Sequence, residues 1–192
     1  MVVQYKTFIP YEDKKLTLKT VNLINQIYLS DDPLHKNYSE SRFDLDNQLA
    51  VTLGFIEEEP VYLSTLYQRN NYLPGIARTM NRVWKHPKLR APSFGKYIKN
   101  SDITSLAVVP MHIPYAIQNN IDTIFISIEG KAHRYMNFLS RKLTEKTGTN
   151  WHIVLEQIDV TGTKSMQHVI YCNLNPSFFS QSCKKQKLFS VV

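Results

Sequence analysis

Residues 49–69, LAVTLGFIEEEPVYLSTLYQR, constrain the fold more than any other stretch of the chain. Two apolar, β-rich runs flank the acidic turn EEEP, the pattern of a hairpin. A second turn signal, NNYLPG, leads into IARTMNRVWKH (76–86), which alternates well enough to be the third strand of the same meander. The remainder of the chain has to be arranged around this antiparallel unit.

On the N-terminal side, VVQYKTFI (2–9) reads as a strand that stops at Pro10. From Asp13 onward, Leu16, Leu18, Val21, Leu23, Ile24, Ile27 and Tyr28 recur mostly at spacings of three and four, which predicts an amphipathic helix ending near SDDP. The following PLHKNYSESRFDLDN is polar and irregular, with room for a short second helix. Beyond Gly95, KYIKNSDITSLAVVPMHIPYAIQNN is partly helical, but Pro110 and Pro114 are expected to forbid one uninterrupted regular helix. DTIFISIEG (122–130) reads as a buried strand. KAHRYMNFLSRKLTEKTG (131–148) reads as a helix, with Tyr135, Phe138, Leu139 and Leu143 on one face and Gly148 at its C-terminal cap. WHIVLEQIDV and MQHVIYCNL form two last strands around TGTK. The order predicts an α+β fold with a mixed, mostly antiparallel sheet flanked by helices, in which a parallel pair fits only across a helical connection.

At 192 residues, 43% hydrophobic and 11% aromatic, the chain is expected to form a single folded domain spanning 1–192. No run approaches the roughly 18 apolar residues of a membrane-spanning helix, and the opening MVVQYKTFIP does not read as a secretory signal. A disulfide between Cys172 and Cys183 is open on sequence alone, but two thiols in this much chain fit a reducing cytoplasm better, and a cytoplasmic location is expected. These cysteines and the six scattered histidines make no zinc spacing, so no metal site is expected. Lys and Arg exceed Asp and Glu by 23 to 16, a net charge of +7. That balance favours anionic partners such as a nucleotide-like cofactor, nucleic acid or an acidic surface, without choosing among them; no membrane partner is expected. Part of the charge is local: RTMNRVWKHPKLR (78–90) holds five Lys or Arg and no acid. A second patch, CKKQK (183–187), lies in a tail at 176–192 that reads as a solvated, mobile end.

The segment WKHPKLRAPSFGKYI (84–98) places bases, small residues and Gly95 where a strand ends and a helix region begins. It resembles the phosphate-binding motif of the GNAT superfamily of acyl-CoA N-acyltransferases: a strand often ending in Pro, then Arg or Gln, two residues, Gly, one residue, and Gly or Ala before a helix. Arg90 takes the first motif position and Gly95 the last, while Ser93 stands where the family prefers glycine. Such a loop must turn backbone N–H groups and a helix N-terminus toward a pyrophosphate. Serine is small enough for that, whereas Pro92 contributes no N–H and restricts Ala91. The element order resembles the family over most of the chain. The wider pattern LSTLYQR…MNRVWKHPKLR…IFISIEG…SMQHVIY also looks like uncharacterised GNAT-like proteins of marine phage genomes. Arg90, Lys88 and Lys85 read equally as an ordinary basic turn.

The resemblance implies acetyl-CoA as co-substrate, held by Val83, Trp84 and Lys85 on the last meander strand and by Arg90, Ala91, Ser93, Phe94, Gly95 and Lys96 in the loop. In the family, that strand and the one across the helical connection, here 76–86 and 122–128, splay into a V-shaped slot for pantetheine and acyl group. A strand N–H would polarise the thioester carbonyl. Trp84 also fits a core position. The resemblance further implies a proton-accepting Glu and a proton-donating Tyr near the next helix, and Glu129 and Tyr135 occupy that region. Tyr135 comes one residue earlier than the family's Asn-x-x-Ala-x-x-x-Tyr spacing, which turns a helical side chain by about 100°. Glu129 otherwise serves the following helix N-terminus, and Tyr135 otherwise packs in the core. Arg82 is a candidate for binding an anionic group on the acceptor. Arg69 and Arg78 read rather as surface partners of the acids at 57–59.

The function implied is transfer of an acetyl group from acetyl-CoA to an amine of a small molecule or peptide. Two alternatives stand beside it. One is a nucleic-acid-binding module that uses the interleaved bases and aromatics of 78–99. The other is a GNAT-like protein that binds CoA without catalysis.

Overall fold

In the computed structural model, residues 3–10, 12–31, 47–68, 74–86, 101–129, 133–157 and 166–175 are described. They form β1 (Gln4–Phe8), α1 (Lys14–Asp31), β2 (Gln48–Ile56), β3 (Glu59–Tyr67), β4 (Ile76–Lys85), α2 (Ser101–Gln118), β5 (Thr123–Glu129), α3 (His133–Thr147), β6 (Trp151–Ile153) and β7 (Gln167–Asn173). The strands make one seven-stranded sheet in the order β1-β2-β3-β4-β5-β7-β6. The meander β2-β3-β4 is antiparallel, as its alternation predicts, and β1 pairs antiparallel with β2. Among the described residues the one parallel pair, β4 with β5, lies across the helical connection that carries α2.

Alternation along β2 divides the two faces of the sheet. Val51 and Leu53 pack with Phe8, Leu63 and the α1 residues Leu16 and Val21. Ala50 turns to the opposite face and joins a larger core with Ala77, Ile124, Ile126 and Ile170, covered by Val109 and Ala116 of α2 and by Met136, Leu139 and Leu143 of α3. The α3 stripe is therefore centred on Met136, Leu139 and Leu143, with Tyr135 and Phe138 half-buried beside it. Gly148 ends α3 at φ 70°, and its N–H donates to the Thr144 carbonyl. Asp13 starts α1 by accepting from the Leu16 N–H. Leu18, expected on the inner face, is instead 41% exposed. Thr17 and Thr20 take inner positions, their hydroxyls satisfied by the carbonyls of Asp13 and Leu16.

The prolines require a correction. Pro110 and Pro114 both lie inside α2, which runs through them to Gln118. The buried stripe of this helix is Val108, Val109, His112 and Ala116. Pro110 and Pro114, four residues apart, sit away from it, and Pro114 is exposed. The carbonyls of Leu106 and Pro110 lose the amide partners they would have in an α-helix without prolines. Asn120 then ends the helix in the left-handed region at φ 55°, with Ile121 N–H donating to Ala116 and Asn120 N–H to Ile117. Ile121 packs in the same core as Ala116, so the cap aims the chain directly into β5.

The turn between β2 and β3 has two residues, Glu57 at φ 49° and Glu58 at φ 68°. This is the backbone of a type I′ turn, which Asn-Gly adopts with far less strain than two adjacent glutamates. Replacing the pair (Glu57→Asn with Glu58→Gly) is expected to stabilise the protein by about 1 kcal/mol. The expected reading is a higher urea midpoint at unchanged slope; an unchanged or lower midpoint would contradict the strain argument.

Candidate functional site

The parallel ladder between β4 and β5 is short. Ile76 pairs with Thr123, Ala77 with Ile124 and Arg78 with Phe125, and there the pairing ends. Both strands continue, but with other partners. β5 follows β7 as far as Glu129 opposite Gln167, and β4 follows β3 as far as Lys85 opposite Tyr62. The two strands therefore part beyond Arg78 and Phe125 and leave a V-shaped opening between them.

Two features of the chain open this V and hold its closed end. Along β4, the partners of Leu63, Thr65 and Tyr67 are Trp84, Asn81 and Arg78, so each two-residue step on β3 is met by three residues on β4. The extra residues bulge and bend β4 away from the straight course of β5. Met80 sits within this stretch at φ 53°, a conformation unusual for a long side chain. At the closed end, the Gly75 carbonyl accepts from the N–H groups of both Asp122 and Thr123. Gly75 has φ 79°, and a Cβ there would lie 2.6 Å from Asp122 Oδ2. The positive φ favours glycine at that position, and any larger residue would also have to displace the Asp122 carboxylate.

A buried polar network braces the branch point. His112, on the inner stripe of α2, lies with its Nδ1 2.7 Å from the hydroxyl of Thr79 on β4. Its Nε2 lies 2.9 Å from the hydroxyl of Thr52 on β2. The Thr52 hydroxyl also lies 2.7 Å from that of Thr7 on β1, whose carbonyl accepts from the Tyr115 hydroxyl at 2.8 Å. His112, Thr52 and Thr79 are fully buried. Burial pushes the imidazole pKa down to about 3, so the ring is neutral and uses one nitrogen as donor and the other as acceptor.

The residues singled out in the sequence fall as follows. Arg82, Val83, Trp84 and Lys85 all lie on the arm of β4 beyond the last β5 pair, and Val83 is 37% exposed. Glu129 ends the opposite arm. Tyr135 is in the first turn of α3, half-buried against the core that holds Met136 and Leu139. Arg90, Ala91, Ser93, Phe94, Gly95 and Lys96, with Lys88 and Pro92, lie outside the described residues, as do Arg69 and the tail 176–192. The chain between His86 and Ser101 joins the open end of β4 to α2.

Arg78 is a correction. It pairs with Tyr67 at one end of β3, whereas Glu59 begins the other end. Eight residues of strand separate the two ends by about 27 Å, far beyond ion-pair reach. The acidic turn instead faces His86, whose Nε2 is 3.9 Å from a Glu59 carboxylate oxygen. Cys172 is fully buried in the larger core, with its thiol pKa raised by that burial, and Cys183 lies outside the described residues. Among the described residues no group of three His, Cys, Asp or Glu is placed to hold a metal ion, and no helix is long and apolar enough to cross a membrane.

No family model matches the chain, and no curated protein does. Solved structures do match. Escherichia coli ElaA aligns with a TM-score of 0.53 at 11% identity, over 88% of this chain and 99% of that one. A protein of Lactobacillus plantarum described as an N-acetyltransferase aligns with a TM-score of 0.51 at 9% identity, over 91% of this chain and 100% of that one. A Bacillus subtilis acetyltransferase in complex with CoA aligns more loosely, with a TM-score of 0.45 at 16% identity over 91% and 100%. None of these structures bears on the likeness to marine phage proteins. At such identities the likeness concerns architecture alone, and it bears out the expected GNAT-like fold, a mixed, mostly antiparallel sheet flanked by helices.

Proposed function

We propose that the protein binds acetyl-CoA and transfers its acetyl group to an amine. The observation that carries this reading is the parting of β4 from β5 after three pairs. Strand edges that separate within a sheet present backbone N–H and C=O groups to whatever enters between them. The pantetheine arm carries amides of matching chemistry, and a thin, extended chain fits between two diverging strands. The arm of β4 that carries Val83, Trp84 and Lys85 would hold it, with the segment holding Arg90 and Gly95 at the phosphates. When bound, acetyl-CoA supplies the activated acyl group. The chain's own residues orient the thioester, exclude water and move the amine proton, for which Glu129 and Tyr135 are the candidates. The acceptor is an amine on a small molecule or peptide.

The test is binding. Ligand taken up only by the folded state, at 100 times its Kd, stabilises by about 2.7 kcal/mol. For a chain of this size that raises Tm by roughly 5–10 °C. Thermal scans with millimolar acetyl-CoA should show the shift. Gly95→Glu, which sets a carboxylate against phosphate, should abolish it, while Lys99→Ala should leave most of it. No shift and no calorimetric heat in the unaltered protein would overturn the reading. Retention of nucleic acid through purification, with no CoA binding, would favour a nucleic-acid module instead.

A further inference from the structure

His112 joins three parts of the fold at one point, and one of them is the strand that opens. Thr79, which it bonds, follows the last residue of β4 paired to β5 and precedes Met80 at φ 53°. Thr52, on the other side of the ring, sits two strands away on β2, whose pairing with both neighbours is continuous at that position. The ring therefore ties the departing strand to a part of the sheet that does not depart. It does so from α2, the helix that follows the segment holding Arg90 and Gly95.

We propose that His112 is a positioning residue: by bridging Thr79 to Thr52 it fixes the point where β4 leaves β5, and so sets the course of the β4 arm that would hold acetyl-CoA. The function of that arm rests on the reading above, whereas the bracing of β4 does not. The imidazole suits the task because its two nitrogens lie on opposite sides of a rigid ring and bond both hydroxyls at once in either tautomer. A purely apolar side chain would leave both threonine hydroxyls buried without this partner. Such a bridge holds one distance across the face of the sheet, and a bulged strand has two extra residues with which to drift if the bridge is cut.

The two threonines provide the experiment. Thr79→Val and Thr52→Val each remove one hydroxyl of similar burial and leave one nitrogen of the same ring without its partner. Either substitution cuts the bridge, and Thr52→Val also takes a partner from the Thr7 hydroxyl. Ser140→Ala is the comparison: it removes a buried hydroxyl that donates to the Trp151 carbonyl, away from the bridge. A merely structural histidine predicts that exchange across 80–85 quickens no more in the valine variants than in Ser140→Ala. A positioning histidine predicts that Thr79→Val and Thr52→Val both speed amide hydrogen exchange across 80–85 and weaken acetyl-CoA binding by about 10-fold, the scale of one lost positioning contact. Ser140→Ala is expected to leave both within about twofold. Thr79→Ser keeps the hydroxyl and should restore the exchange rates and the affinity. Exchange at 80–85 no faster in the two valine variants than in Ser140→Ala, or no restoration by serine, would overturn the inference. Failure of the unaltered protein to bind acetyl-CoA would overturn the proposed function instead, and the exchange comparison would still decide the role of His112.

Discussion

Acidification from pH 7 to pH 5 is expected to cost the protein about 2 kcal/mol of stability through His112 alone. The folded-state pKa of this ring is depressed from 6.5 to about 3 by burial. Its hydrogen-bond partners are neutral hydroxyls, so no carboxylate compensates a positive charge there. The unfolded chain takes up a proton as pH falls through about 6.5, and the folded chain does not until about 3. The contribution is therefore intact above pH 6.5. It declines by roughly 1.4 kcal/mol per pH unit below that value, and levels off once the folded ring also protonates. Urea unfolding at a series of pH values measures the slope. His112→Gln removes the titrating group while keeping a donor and an acceptor, so its stability should fall less steeply between pH 7 and pH 5. Parallel curves for the two proteins over that interval would show that the imidazole is not held neutral by the fold.

The same residue shows where sequence reasoning stops. His112 stands in MHIP, a string that offers no metal ligand at useful spacing. Its place on α2 becomes legible only once Pro110 and Pro114 are allowed inside the helix, since Val108, Val109, His112 and Ala116 then fall on one stripe. A proline is a local cost, whereas the apolar stripe is a collective gain in burial, and here the stripe prevails. The meander, the helix after Asp13 and the helix ended by Gly148 were readable because period and capping residues agree in each.

The V itself left a fainter trace. Its cause is a count of residues between paired positions on β3 and β4, and no residue type announces that count. Met80 has no side-chain signal for positive φ, as Gly75 and Gly148 do. Arg78 went astray for a related reason. Membership of one meander suggests nearness to the acids at 57–59, but antiparallel register sets Arg78 opposite Tyr67, at the far end of β3 from Glu59. The opening was legible only through resemblance of the whole element order. The loop motif that prompted the resemblance lies outside the described residues.

The largest expected effect concerns chemistry at that opening. If Glu129 accepts the amine proton and Tyr135 returns one to the departing thiolate, Glu129→Gln and Tyr135→Phe should each lower turnover by about 100-fold or more, with acetyl-CoA affinity nearly unchanged. The argument is positional. Glu129 ends the arm of β5 that faces the opening, four residues beyond the last pair with β4. Tyr135 follows in the first turn of α3, at the flank of the buried stripe rather than within it. A flank position lets the residue pack against the core and stay partly exposed, the division of labour common for tyrosine. Because Tyr135→Phe keeps the ring, the packing against the core should survive, and an unchanged Tm separates lost chemistry from lost structure. The assay is release of free CoA thiol with a panel of polyamines, amino acids, aminoglycosides and peptide N-termini. On an acceptor that the unaltered protein uses, loss of turnover at constant affinity would place both side chains in proton transfer. Equal loss of turnover and affinity would make them part of binding, and unaltered rates in both variants would remove them from the mechanism.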